Sequence, residues 1–160
     1  MKRRIFDVAL GLITGAAVMW AFSIAPDRTT VASLSPDDSV RARLVETSPA
    51  WGIDRNFSVR LEFLGRDATR TIFSSPDEGR PAGSERFIWS KDGTMLLLVG
   101  RHFYTEPGSL LETGEHAYFL YHLPSRRGWC AADQKSGWPR FTNDLLQNIE
   151  FTQVVKLRNR

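Results

Sequence analysis

From residue 34 onwards the apolar positions of the chain recur with a period of two. In FSVRLEFL (57–64), Phe57, Val59, Leu61 and Phe63 fall on one side while Ser58, Arg60 and Glu62 fall on the other, the pattern of a strand with one buried face. VRARLVE (40–46) repeats it, with Val40, Ala42 and Leu44 inward and Arg41 and Arg43 outward. RTIFS (70–74) and RFIWS (86–90) predict short aromatic strands, and TMLLLVG (94–100) and AYFLYHL (117–123), apolar on both sides, predict central ones. Three turn clusters separate these runs: SPAWGIDRN (48–56), SSPDEGRPAGSE (74–85) and the longer HFYTEPGSLLETGE (102–115). Only FTNDLLQNIEF (141–151) has helical spacing, with Thr142 or Asn143 as a cap, and FTQVVKL (151–157) predicts a closing strand. The expected body is all-β, an antiparallel meander or small sandwich with one short helix.

The first 26 residues break this pattern. Val8 to Ala25 carry no charge, and at about 1.5 Å per helical residue the run reaches roughly 27 Å, close to a hydrocarbon core of about 30 Å. Lys2, Arg3 and Arg4 precede it and only Arg28 follows closely, which favours a cytoplasmic N-terminus and an exported body. The expectation is a signal anchor or transmembrane helix over 1–26, contacting lipid through 8–25, a tether over 27–33, and an extracytoplasmic β-domain over 34–160. Gly11 and Gly15 have the small-xxx-small spacing that lets two membrane helices approach, and are the candidate helix-packing residues.

Charge and cysteine content narrow the partners. The chain carries +3 at neutral pH, but setting aside Lys2, Arg3, Arg4 and Asp7 leaves 18 basic against 17 acidic residues, a balance that gives no ground for nucleic-acid binding. Cys130 is the only cysteine, so an exported body has no internal disulfide and folds on its core; in RGWC the thiol reads as a small buried strand residue.

A turn recurs in the sequence: Ser35-Pro36-Asp37-Asp38, Ser75-Pro76-Asp77-Glu78 and Ser90-Lys91-Asp92-Gly93. An Asp in such a turn accepts hydrogen bonds from nearby amides, and Gly93 takes positive φ without steric cost. FIWSKDGTMLLLV (87–99) resembles the WD40-like propeller repeat of the periplasmic Tol type, whose blades carry a Trp-Ser-Pro-Asp-Gly turn leading into an apolar strand; LSPDDSVRARLVE (34–46) is a weaker copy. Lys91 stands where that family has Pro, and Asp38 where it has Gly. A blade takes roughly 40 residues and closure at least four blades. The resemblance therefore implies shared blade-like hairpins and not a closed propeller.

No segment carries a catalytic motif. His116 and His122 lie six residues apart on one predicted face, about 20 Å along a straight strand, so with His102 they do not make a metal site. Ser109 lacks a nucleophile elbow, and no glycine-rich phosphate loop is present. Asp77, Glu78, Asp92, Glu106, Glu112 and Glu115 are turn and loop carboxylates. Aromatic residues on loops are the better candidates for contact: Trp51 and Trp138, flanked by Pro and Gly, and His102 and Tyr104 in the long 102–115 segment. The expectation is a membrane-anchored extracytoplasmic binding or scaffold domain that acts without catalysis, cofactor or metal on an envelope protein or on itself. The alternative is a small envelope hydrolase with a site assembled from loop carboxylates.

Overall fold

A computed structural model describes residues 27–47, 56–76, 84–101, 111–130, 138–140 and 142–155. The expected membrane segment, with Gly11 and Gly15, lies outside them, and no helix among the described residues is long and apolar enough to cross a membrane.

The body is antiparallel β, as the period of two predicts. β1 (Arg28–Leu34), β2 (Val40–Thr47), β3 (Asn56–Phe63) and β4 (Ala68–Pro76) form one four-stranded sheet in chain order. β5 (Arg86–Trp89), β6 (Met95–Gly100), β7 (His116–His122) and β8 (Arg127–Cys130) form a second, also in chain order. Residues 28–34 are thus not a tether. Thr29, Thr30 and Val31 are β-branched, and pairing of Leu34 with Arg41 through Arg28 with Glu46 makes the segment an edge strand. An edge strand has one hydrogen-bonded side only, so its apolar periodicity is faint.

One core lies between the sheets. Val40, Ala42 and Leu44 of β2 and Val59 and Leu61 of β3 meet Phe87, Trp89, Leu96, Leu98, Phe119 and Tyr121 of the second sheet. Each fully buried side chain of this size contributes roughly 1.5–3 kcal/mol. A second core covers the far face of the second sheet, where Ile88, Leu97, Val99 and Leu120 pack against Leu146 and Phe151. Leu146 belongs to a short helix, α1 (Asn143–Gln147), whose N-cap Thr142 Oγ1 accepts from Leu145 N at 3.3 Å. This two-sided burial is why β6 and β7 are apolar on both faces.

The last segment departs from the expected strand. Phe151 makes one isolated bridge with Ser90, Thr152 N donates to Trp89 O at 2.8 Å, and Val154 is 74% exposed. With Thr152, Gln153 and Val154 exposed in succession there is no alternation to support a sheet, and the segment serves instead to cap the edge of β5. The other edge of the second sheet is capped where Cys130 N donates to Pro139 O at 3.0 Å.

The far face of the first sheet carries charged side chains beside the buried Val45. Arg41 and Arg43 pair with Glu62, and Arg60 pairs with Asp27. A third sheet would have to bury these charges or displace α1, so the packing closes at two sheets.

Candidate functional site

The two Ser-x-Asp hairpins are the same structure built twice. In the first, Ser35 N donates to Val40 O at 2.8 Å, Val40 N to Ser35 Oγ at 3.0 Å, Ser35 Oγ to Asp37 Oδ1 at 2.6 Å and Ser39 N to Asp37 Oδ1 at 3.2 Å. In the second, 55 positions on, Ser90 N donates to Met95 O at 2.9 Å, Met95 N to Ser90 Oγ at 2.8 Å, Ser90 Oγ to Asp92 Oδ1 at 2.5 Å and Thr94 N to Asp92 Oδ1 at 3.0 Å. Each serine is only 3% exposed, and the left-handed position is taken by Asp38 (φ 56°) in one turn and Gly93 (φ 72°) in the other. Hydrogen bonding to the charged form draws both aspartates below the ordinary value of 3.8. The Ser35 hydroxyl brings Asp37 to about 2, and the Ser90 hydroxyl, with Thr94, lowers Asp92. Lys91 and Asp38 do not interrupt this network. The third Ser-x-Asp segment, from Ser75, closes β4 and runs out of the described residues.

These hairpins share an end of the molecule with two more. In a chain-ordered meander, the β1–β2 and β3–β4 turns lie at one end and the β2–β3 connection at the other. Leu64 N donates to Ser39 O at 2.8 Å in the first sheet, and Leu123 N to Thr94 O at 2.9 Å in the second, so the 64–67 and 123–126 turns are tied to the serine turns in the same way. A methyl group at Gly93 would sit 3.5 Å from Pro36 Cδ, which brings the two sheets' turn ends together. The opposite end carries the starts of β1, β3, β5 and β7 and the ends of β2, β4, β6 and β8.

Between the 64–67 and 123–126 turns runs an open groove of about 310 Å³. Phe63, Leu123 and Pro124 supply its apolar surface, and Arg66, Arg70 and Arg126 its cations. The Arg70 guanidinium carbon stands 5.9 Å from the centre of the Phe63 ring. Arg126 holds a left-handed conformation (φ 57°), a position that Asp67 (φ 44°) takes in the sister turn. Asp67 and Glu62 line an adjoining hollow that shares Phe63, Arg66, Ala68 and Thr69 with the groove.

At the other end one acid, Glu115, is committed to structure. Glu115 receives both a 3.0 Å bond from Arg86 Nε and a 2.7 Å bond from Arg86 Nη2, with Thr113 Oγ1 donating at 2.8 Å. The guanidinium holds the carboxyl below its ordinary range, and the carboxylate raises Arg86 in return. Of the other loop carboxylates, Glu112 is exposed on a turn, while Asp77, Glu78 and Glu106 lie outside the described residues. A bulge at Tyr118 shifts the phase of β7, so that Phe119 and Tyr121 enter the intersheet core and Ala117 and Leu120 the second one. His116 and His122, expected on one face, consequently fall on opposite faces. His122 Nδ1 is 2.6 Å from Ser125 Oγ.

Among the expected contact residues, Trp51, His102 and Tyr104 lie outside the described residues. Trp138 lies outside the strands as predicted, yet its ring packs inward. It stacks on Phe119 at 5.1 Å and Tyr121 at 6.0 Å from one sheet and meets Phe73 at 6.0 Å from the other. Gly128 makes room for it, since a methyl group there would come within 2.1 Å of the indole. Cys130 is buried in β8, as its sequence context predicts. The groove arginines were not singled out by periodicity or motif; the signal for them is the density of arginine in GRDATR (65–70) and PSRR (124–127), two turns that become neighbours only when the sheets pack. Comparison with protein-family models, with curated proteins and with solved structures finds no match to this chain.

Proposed function

We propose that the chain is a membrane-anchored extracytoplasmic domain that binds or scaffolds a partner in the cell envelope without catalysis. The observation that carries this reading is the position of β1. It begins at Arg28, three residues after the uncharged run ends at Ala25, so an anchor over 1–26 joins the body with almost no slack. A domain held so closely has a bilayer side, where β1 starts, and an outward side, where the four tight turns and the groove lie. Compact hairpins with internally bonded side chains suit a fixed recognition surface, because little conformational freedom is lost on binding. The two serine hairpins resemble propeller-blade turns, a likeness that extends to the strand-turn-strand device and no further. Trp51, His102, Tyr104, Gly11 and Gly15 remain part of the proposal as contact and helix-packing residues.

Two measurements test it. A reporter fused after Arg160 is expected to be active outside the cytoplasm, and activity in the cytoplasm alone would overturn the orientation. Crosslinking of the tagged full chain in its native membrane, followed by mass spectrometry, is expected to recover one specific second protein; recovery of the chain alone would replace the partner with self-assembly.

A further inference from the structure

We infer that the groove between the 64–67 and 123–126 turns is a docking site for an acidic, partly apolar peptide segment of a partner protein. Three features point to this occupant. The first is charge: Arg66, Arg70 and Arg126 bring three positive charges to one groove whose described lining holds no carboxylate. Among the described residues Arg41 and Arg43 share Glu62, Arg60 pairs with Asp27 and Arg86 with Glu115, whereas these three make no ion pair. Guanidinium groups gathered without counter-charges favour a multiply negative ligand, and their planar donors suit carboxylates.

The second feature is the surface the charges surround. Phe63, Leu123 and Pro124 offer apolar contact that a bare inorganic anion would leave unused, so the ligand that fits best alternates carboxylates with an apolar side chain. The third is Arg126 itself. A side chain other than Gly, Asn or Asp in the left-handed region carries a cost in folding free energy, and Asp67 shows that the sister turn fills the same position with a residue that tolerates it. Arginine at this strained position is explained by what its guanidinium does in the groove.

This inference rests on the turn end being the domain's outward binding side. The test uses the full chain in nanodiscs of zwitterionic lipid and a fluorescein-labelled, capped Asp-Leu-Asp-Leu-Asp peptide, followed by fluorescence anisotropy. Saturable binding is expected, weakening as salt is raised. Arg66→Ala and Arg126→Gly are each expected to weaken it about threefold to fivefold, the size of an exposed ion pair, and together by about tenfold or more. Arg126→Gly relieves backbone strain, so it is expected to lose binding while its melting temperature holds or rises, which separates a docking role from a structural one.

No saturable binding, or binding indifferent to both substitutions, would overturn the proposal. So would displacement of the peptide by inorganic phosphate or by vesicles of anionic lipid at comparable concentration, since that result assigns the groove to phosphate groups. Failure of the peptide assay with a specific protein still crosslinked in the membrane would remove the groove and leave the binding-domain reading standing, whereas a cytoplasmic reporter would remove that reading itself.

Discussion

Ser35 and Ser90 do more than their size suggests. Each hydroxyl accepts the amide of the first residue of the following strand and donates to the aspartate two positions on, so one side chain joins the strand ladder to the turn. Ser90→Ala leaves the buried Met95 amide without that acceptor, and the expected loss is about 1–3 kcal/mol of stability, read from urea denaturation. Ser90→Thr keeps the hydroxyl and is expected to lose less. The aspartates give the same turns a pH dependence. Their carboxyls sit below 3.8 in the folded chain, with Asp37 at about 2 and Asp92 also lowered, and Glu115 sits below 4.5 beside Arg86. Groups whose values are depressed by folding stabilise the protein above their unfolded values and stop doing so as pH falls through the folded ones. Melting temperature is therefore expected to be flat above about pH 5 and to fall as pH drops from about 4 towards 2, and less steeply in Ser35→Ala, whose Asp37 loses its principal hydrogen bond. A melting temperature unchanged through that window would show that these carboxylates are not bonded as described. This scale was legible in advance: the thrice-written Ser-x-Asp turn pointed to hydrogen-bonded aspartates, and the two copies that fall wholly within the described residues form the expected hairpins.

At the scale of elements, a residue from outside both sheets adds to the core between them. Trp138 lies between Phe73 of β4 and Phe119 and Tyr121 of β7, over Gly128 of β8. Gly128→Ala puts a methyl group into the indole, so the ring must leave, and the expected result is a stability loss close to that of Trp138→Ala, about 2–4 kcal/mol for a large side chain in a shared core. Since the two changes remove one contact, the double variant is expected to lose little more than either alone, and additive losses would show that the contact is not made. α1 offers a parallel case. Leu146 is its one fully buried side chain, and Leu146→Ala is expected to cost about 2–5 kcal/mol by uncovering Ile88, Leu97 and Leu120. The strands were legible because alternation marks one-sided burial, and the apolar runs of β6 and β7 announced burial on both sides. β1 was not, because an edge strand with exposed alternate residues resembles a polar linker. Nor was the inward turn of Trp138, whose Gly and Pro neighbours fix the local chain direction but say nothing about the sheet edge it meets. The opposite facing of His116 and His122 was hidden for a similar reason, as the bulge at Tyr118 comes from pairing with β6 and leaves no mark on the strand's own sequence.

The whole molecule has two unlike faces and two unlike ends. Charge on the far face of the first sheet and α1 with Phe151 on that of the second halt the stacking, so lateral joining of several copies into a ring would have to bury the Arg41, Arg43, Arg60 and Glu62 network. Light scattering on the full chain in detergent is accordingly expected to give a mass that does not rise to a closed ring of several copies. The ends are distinguished by topology: four tight turns and the arginine groove at one, the start of β1 at the other. The groove is the part of the account that sequence alone could least supply, since Arg66 and Arg126 are 60 positions apart and become neighbours only through sheet packing. Site-specific photocrosslinking in the native membrane tests the central claim most directly, with the reactive residue placed in turn at Ser125 and at Arg28 of the full chain. The account predicts a discrete protein adduct from Ser125, diminished by Arg126→Gly, and lipid adducts from Arg28; lipid adducts from Ser125, or no protein adduct there, would contradict it.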